Sequence, residues 1–134
     1  MRLYVLDASA WLRLFIGDGP AISGLAEAAL LVEQRNASFI APELIMIEAA
    51  HALTRKVRLN LISTAEQQQL WQDMQRMPLE LRKTIDQIEQ AMDLALKHNL
   101  SAYDALYLAL TLHIGATLFT ADKQLAAVAH TLGV

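Results

Sequence analysis

Four short segments, residues 3–6, 38–41, 79–81 and 116–120, read as strands, the first and last with the apolar character of buried ones, and each is separated from the next by a longer stretch with helical spacing. Consecutive strands parted by helices cannot close as hairpins. They need right-handed crossovers, which lay the strands parallel and cover the sheet with helices on both faces. The chain is therefore expected to fold as an α/β protein with three layers, α/β/α.

Local signals mark the helices. The run after Asp7 (Ala8, Ala10, Trp11, Leu12, Leu14, Phe15) reads as a first helix ended by Gly17-Asp18-Gly19-Pro20, and a second is expected over residues 21–35. Pro42 suits the start of a third, running to about residue 58. Ser63-Thr64-Ala65-Glu66 matches a capping box opening a helix that Met77-Pro78 closes. Thr84-Ile85-Asp86-Gln87 matches a second, followed by Ile85, Ile88, Met92 and Ala95 at the spacing of a core-facing stripe that stops near Asn99. Ser101 opens another helix, ended by Gly115, and a last one starts around Ala121 or Asp122.

At 134 residues the sequence has the size of one domain, expected to span 1–134, with no repeat or linker. With 54% hydrophobic and 19% charged residues it is too apolar for disorder, yet no stretch reaches the roughly 20 apolar residues of a membrane span. The segment before Asp7 is too short for a signal peptide, and the absence of cysteine fits a reducing compartment, so a cytoplasmic location is expected. Lack of cysteine also excludes thiolate zinc sites, thiol nucleophiles and iron–sulfur clusters.

Four carboxylates stand apart: Asp7, Glu48, Asp104 and Asp122, each in an apolar stretch or where a strand gives way to a helix. Asp7, Asp104 and Asp122 each have a local alternative as helix-start residues, Asp104 through a capping box with Ser101, and Thr120 is a rival cap for the last helix. Glu48 lies inside a helix, in Leu44-Ile45-Met46-Ile47-Glu48-Ala49-Ala50, where no capping role exists. If the four meet in one pocket, their repulsion demands bound cations, and an all-oxygen donor set selects Mg²⁺ or Mn²⁺. Net charge is −3, but setting the quartet aside leaves ten acids against eleven bases, so a local basic patch is compatible with the remainder.

Other features have simpler readings. Asp86, Glu89 and Asp93, with Lys97, form a solvated stripe; Trp11 and Trp71 read as core or interface aromatics; His51 reads as a surface or core-edge residue outside the site.

The ordered set Leu6-Asp7-Ala8-Ser9, Pro42-Glu43-Leu44 with Glu48, Ser101-Ala102-Tyr103-Asp104-Ala105-Leu106-Tyr107-Leu108-Ala109, and Thr120-Ala121-Asp122-Lys123 resembles a PIN-domain ribonuclease of the VapC toxin type over almost the whole chain. The resemblance implies a PIN-like fold with a central, mainly parallel sheet of four or five strands, its last edge strand short or missing here. It implies an acidic quartet of Asp7, Glu48, Asp104 and Asp122, with Ser9 as an active-site hydroxyl, holding one or two Mg²⁺ or Mn²⁺ ions. Endonucleolytic cleavage of RNA, a homodimer and inhibition by a cognate antitoxin follow from the same resemblance. Arg55, seven residues after Glu48, and Lys123 beside Asp122 are the candidate phosphate contacts.

Two other classes compete: a binding or regulatory module that keeps the fold without nuclease activity, and a phosphoacceptor domain using Asp7 with Mg²⁺. An interior Glu48 is unexpected in the second.

Overall fold

The computed structural model describes residues 1–17 and 19–134. The strands are β1 (Arg2–Leu6), β2 (Ala37–Pro42), β3 (Glu80–Arg82) and β4 (Thr117–Phe119). They form one four-stranded sheet in the order β3-β2-β1-β4 with every pairing parallel, so of the four or five expected strands the lower number is present. The helices are α1 (Ala8–Arg13), α2 (Leu25–Glu33), α3 (Leu44–Arg58), α4 (Thr64–Arg76), α5 (Ile88–His98), α6 (Ala102–Ile114) and α7 (Lys123–Thr131), with a 3₁₀ turn at Ile85–Gln87.

Strand order positions everything that follows. The chain lays β2 and β3 successively on one side of β1, then returns to place β4 on the other. In open parallel sheets the crevice beyond the carboxyl ends of two strands at such a reversal is where ligands bind. Asp7 directly follows β1, and Thr120 directly follows β4. The Asp7 amide donates to the Phe119 carbonyl at 3.2 Å, which carries the ladder one step past β1. On the outer side of β4 no further strand is present among the described residues, and the Leu118 amide donates to the Val134 carbonyl at 3.3 Å.

Apolar burial explains the layers. Val5, Leu6, Phe39, Ile40 and Ala41 are buried in the central strands, as a sheet covered on both faces requires. Helix α6 is buried from Ala105 through Thr111 without interruption, the pattern of a helix surrounded by protein rather than laid on a surface. Trp11 is buried and its ring lies 6.5 Å from that of Trp71, so both tryptophans serve the interior.

Several boundaries differ from the sequence expectation. The break assigned to Gly17-Asp18-Gly19-Pro20 includes a position outside the described residues, but α1 itself already ends at Arg13. Helix α2 begins at Leu25, not residue 21, because Gly24 sits at φ 83°, a left-handed conformation that a right-handed helix cannot contain. Pro42 closes β2, and α3 starts after Glu43. The Ser63 capping box forms with both bonds at 3.0 Å. The Thr84 box does not: Thr84 makes no side-chain cap bond, and a 3₁₀ turn stands where the helix start was expected.

The larger correction concerns α5. Three of the four residues of its expected core stripe face water, Ile85 at 80% exposure and Ile88 and Met92 also on the surface, while Ala95 is half-buried; Leu96 beside it is 87% exposed. Ala91 is buried instead, in a small cluster with Ala105, Leu106 and Ala109 of α6. Small residues let the two helix backbones approach closely, and that close packing outranks the larger side chains in choosing the buried face. Asp86, Glu89 and Asp93 are exposed as expected.

Candidate functional site

Asp7 is the centre of the crevice and is only 5% exposed. It caps α1: its Oδ1 accepts from the Ala10 amide at 2.9 Å and from the Ser9 hydroxyl at 2.6 Å. Its Oδ2 accepts from the Thr120 hydroxyl across the strand reversal. An ionised carboxylate offers about four lone-pair sites, so three bonds leave a direction free for a further ligand. Burial pushes the Asp7 carboxyl above its usual range; the bonds from Ser9, Thr120 and Ala10 oppose the rise, and the charge of Asp104 adds to it.

Ser9 and Thr120 tie the two halves of the crevice together. The Ala121 amide donates to Ser9 Oγ at 2.9 Å, and the Asp122 amide donates to Thr120 Oγ1 at 3.0 Å. Each hydroxyl thus gives its proton to Asp7 and receives an amide of the segment after β4. Thr120 is therefore not the cap of the last helix. That role falls to Asp122, whose Oδ1 accepts from the Leu125 amide at 2.9 Å.

Glu48, the acid without a local explanation in the sequence, has its partner in Tyr107. The Tyr107 hydroxyl donates to Glu48 Oε1 at 2.6 Å, joining α3 to α6. Tyr107 is 1% exposed, and burial together with the acceptor carboxylate drives its phenol far above the ordinary tyrosine range. Desolvation raises the Glu48 carboxyl, the Tyr107 bond opposes this, and the charges of Asp104 and Asp7 raise it further. Asp104 sits in the first turn of α6 behind the cap Ser101, whose Oγ accepts the Asp104 amide at 3.0 Å. Its carboxyl is raised by burial first and by the charge of Asp122 second, with Ser101 opposing.

The four acids consequently form one electrostatic chain, Asp7 to Glu48 and Asp104, and Asp104 to Asp122. Among the described residues no group of three acids or histidines converges tightly enough to cage an ion as it stands. The donor chemistry nevertheless fits a hard divalent cation: all oxygens, three carboxyls held partly protonation-prone by burial and mutual repulsion, and a spare direction on Asp7. Glu48 and Asp104 are half-buried and Asp122 is exposed.

Of the candidate phosphate contacts, Arg55 is exposed and lies outside the groove that flanks Glu48. His51 and Arg58 of α3 line that groove with Glu48. Lys123 lines a wide cleft of about 800 Å³ along β4 and α7, together with Thr120 and Asp122. Tyr107 and Thr120 are the site residues that the sequence reading missed. The signal for Tyr107 was a polar tip one helical turn after Asp104 in an otherwise apolar run, where a buried hydroxyl needs a partner.

Comparison with known proteins identifies the family. The chain is 32% identical over 126 residues to Ribonuclease VapC3 of Pyrobaculum aerophilum, a match covering 91% of each protein. It is 30% identical over 123 residues to VapC ribonuclease Mb0985 of Mycobacterium bovis, covering 92% of this chain and 88% of that one. The crystal structure of PAE2754 from Pyrobaculum aerophilum shares the fold with a TM-score of 0.73 at 22% identity, over 94% of this chain and 78% of that one. The family model for the PIN domain matches residues 4–131, and the chain belongs to the PIN domain family.

Proposed function

We propose that this protein is a metal-dependent endoribonuclease, the toxin of a type II toxin–antitoxin pair, built as a single domain over residues 1–134. The observation that carries the reading is the buried Asp7 at the strand reversal, electrostatically coupled to Glu48 and Asp104. Relatives named as ribonucleases, aligned over nine-tenths of the chain, support it.

In this reading Asp7, Glu48 and Asp104 hold Mg²⁺ or Mn²⁺, and Asp122 orients a water at the edge of the site. The bound ion would neutralise charge on the phosphate and acidify a water for attack on phosphorus. The protein's own groups prepare for that. Ser9 and Thr120 fix both oxygens of Asp7 so that its remaining lone pair points in one direction. Tyr107 holds Glu48 by one oxygen and leaves the other available, and Ser101 stabilises the ionised Asp104. Such bonds to carboxylate ligands orient them and raise metal affinity. Lys123 beside the crevice supplies positive charge toward the RNA backbone.

Burial counts against a phosphoacceptor: Asp7 is only 5% exposed. A cognate antitoxin and a cytoplasmic location belong to the proposal, as does a homodimer; among the described residues no helix is long and apolar enough to cross a membrane. The exposed aliphatic stripe of α5 offers surface for self-association.

Purified protein incubated with labelled RNA and Mg²⁺ or Mn²⁺ is expected to cleave it, and folded Asp7→Asn and Asp104→Asn variants are expected to lose cleavage. Undiminished activity in those variants would remove the assignment; a folded wild type inert on structured and unstructured RNAs would favour the binding-module reading.

A further inference from the structure

Tyr103 is a large aromatic in the exposed first turn of α6. Beyond it α6 is buried from Ala105 to Thr111, yet Tyr103 itself is 61% exposed, immediately before Asp104. Ile47, immediately before Glu48, is 65% exposed. Both line a groove of about 620 Å³ that runs along α3 past Glu48, with His51 and Arg58 on its wall. An aromatic and an aliphatic side chain thus lie in water next to two of the site's carboxylates, where an acidic pocket alone gives them no partner.

We infer that this groove is a nucleotide subsite: the Tyr103 ring stacks on a base adjoining the cleaved phosphodiester of a single-stranded RNA, Ile47 packs against that base, and Arg58 holds a backbone phosphate further along. This rests on the nuclease reading above and adds to it the residues that grip the substrate. Stacking on an exposed aromatic is how single strands are held without regard to sequence, because every base presents a π-face. Charge fits the same occupant. The last turn of α3 carries Arg55, Lys56 and Arg58, and Arg58 is the one of these on the groove. It stands ten residues beyond Glu48, about 15 Å along the helix at 1.5 Å per residue, which spaces a phosphate contact away from the reacting bond.

The test is a cycle between ring and base. Kinetics are measured in Mg²⁺ on a fluorescein-labelled single-stranded RNA octamer and on copies carrying one abasic position beside the mapped cleavage bond. Tyr103→Ala is expected to raise KM about five- to hundredfold on the intact octamer, the loss that one base stack represents, with kcat little changed. On the octamer lacking the stacked base, Tyr103→Ala and wild type are expected to share one KM, and Tyr103→Phe is expected to restore the coupling on the intact strand. Arg58→Gln should reduce the slope of log KM against log salt by about 0.7. A folded Tyr103→Ala with wild-type KM overturns the stacking. Equal losses on intact and abasic strands overturn it in favour of a structural role. A wild type that cleaves no RNA removes the nuclease reading and the subsite together, whereas normal cleavage without ring–base coupling removes the subsite alone.

Discussion

Replacing Thr120 by valine keeps the shape of the side chain and deletes one hydroxyl. That hydroxyl is buried, donates to Asp7 Oδ2 and accepts the Asp122 amide at 3.0 Å. A hydrogen bond to a charged group contributes about 1.5–3 kcal/mol net. For a chain of 134 residues, with an unfolding entropy of about 2.1 cal/mol/K per residue, the loss corresponds to a fall in Tm of about 5–11 °C. Thr120→Ser keeps the hydroxyl and should recover most of it. The pH dependence identifies the cause. The Thr120 bond favours the ionised form of Asp7, so its contribution is present while Asp7 is charged in the fold and fades as pH falls through the folded pKa, which burial has raised. Urea unfolding of wild type and variant, metal-free, across that range is the assay. Equal stability at neutral pH, or a gap that stays constant as Asp7 takes up its proton, would refute the argument.

Tyr107→Phe removes the 2.6 Å bond to Glu48 while leaving the buried ring, and is expected to raise the Mg²⁺ concentration for half-maximal cleavage about 10–100-fold; an unchanged requirement would show that Tyr107 only packs. Asp7, Glu48 and Asp104 all have raised carboxyl pKa values, so their charged forms are disfavoured in the fold. The sign follows: metal-free protein gains stability as pH falls from neutral into the carboxylate range, and added Mg²⁺ raises the neutral-pH Tm toward that level. Differential scanning fluorimetry with and without EDTA checks both. On α5, Ala91→Leu is expected to destabilise by about 1–3 kcal/mol by overpacking against α6, whereas Leu96→Lys should stay within about 0.5 kcal/mol in chemical unfolding.

The strands were legible because short apolar runs bounded by polar residues have few other fates: β1, β2, β3 and β4 each lie within a residue or two of the expected segments. The quartet was legible for a related reason, since an acid in an apolar stretch stands out. What the sequence hid depended on partners far along the chain. Glu48 lacked an explanation until Tyr107, 59 residues later, came to it. Asp122 and Thr120 were equal candidates for the last cap because capping is local, and Asp7, at the end of the neighbouring strand, engaged Thr120. The face of α5 was misread because periodicity counts large apolar side chains, and the neighbour that decided the matter, α6, selected an alanine. Likewise Thr84 had the residues of a capping box but not the extended backbone, resting at φ −122° and ψ 16°.

The bond between Asp7 and Thr120 joins residues 113 apart, almost the full span of the molecule. During synthesis at about 5–20 residues per second, Asp7 is made about 6–23 s before the hydroxyl that will orient it. A nascent chain carries its central carboxylate long before β4 exists to close the crevice. Assembly of the cluster therefore waits for β4, and a ribosome-bound fragment halted short of β4 lacks the geometry on which all the chemistry depends.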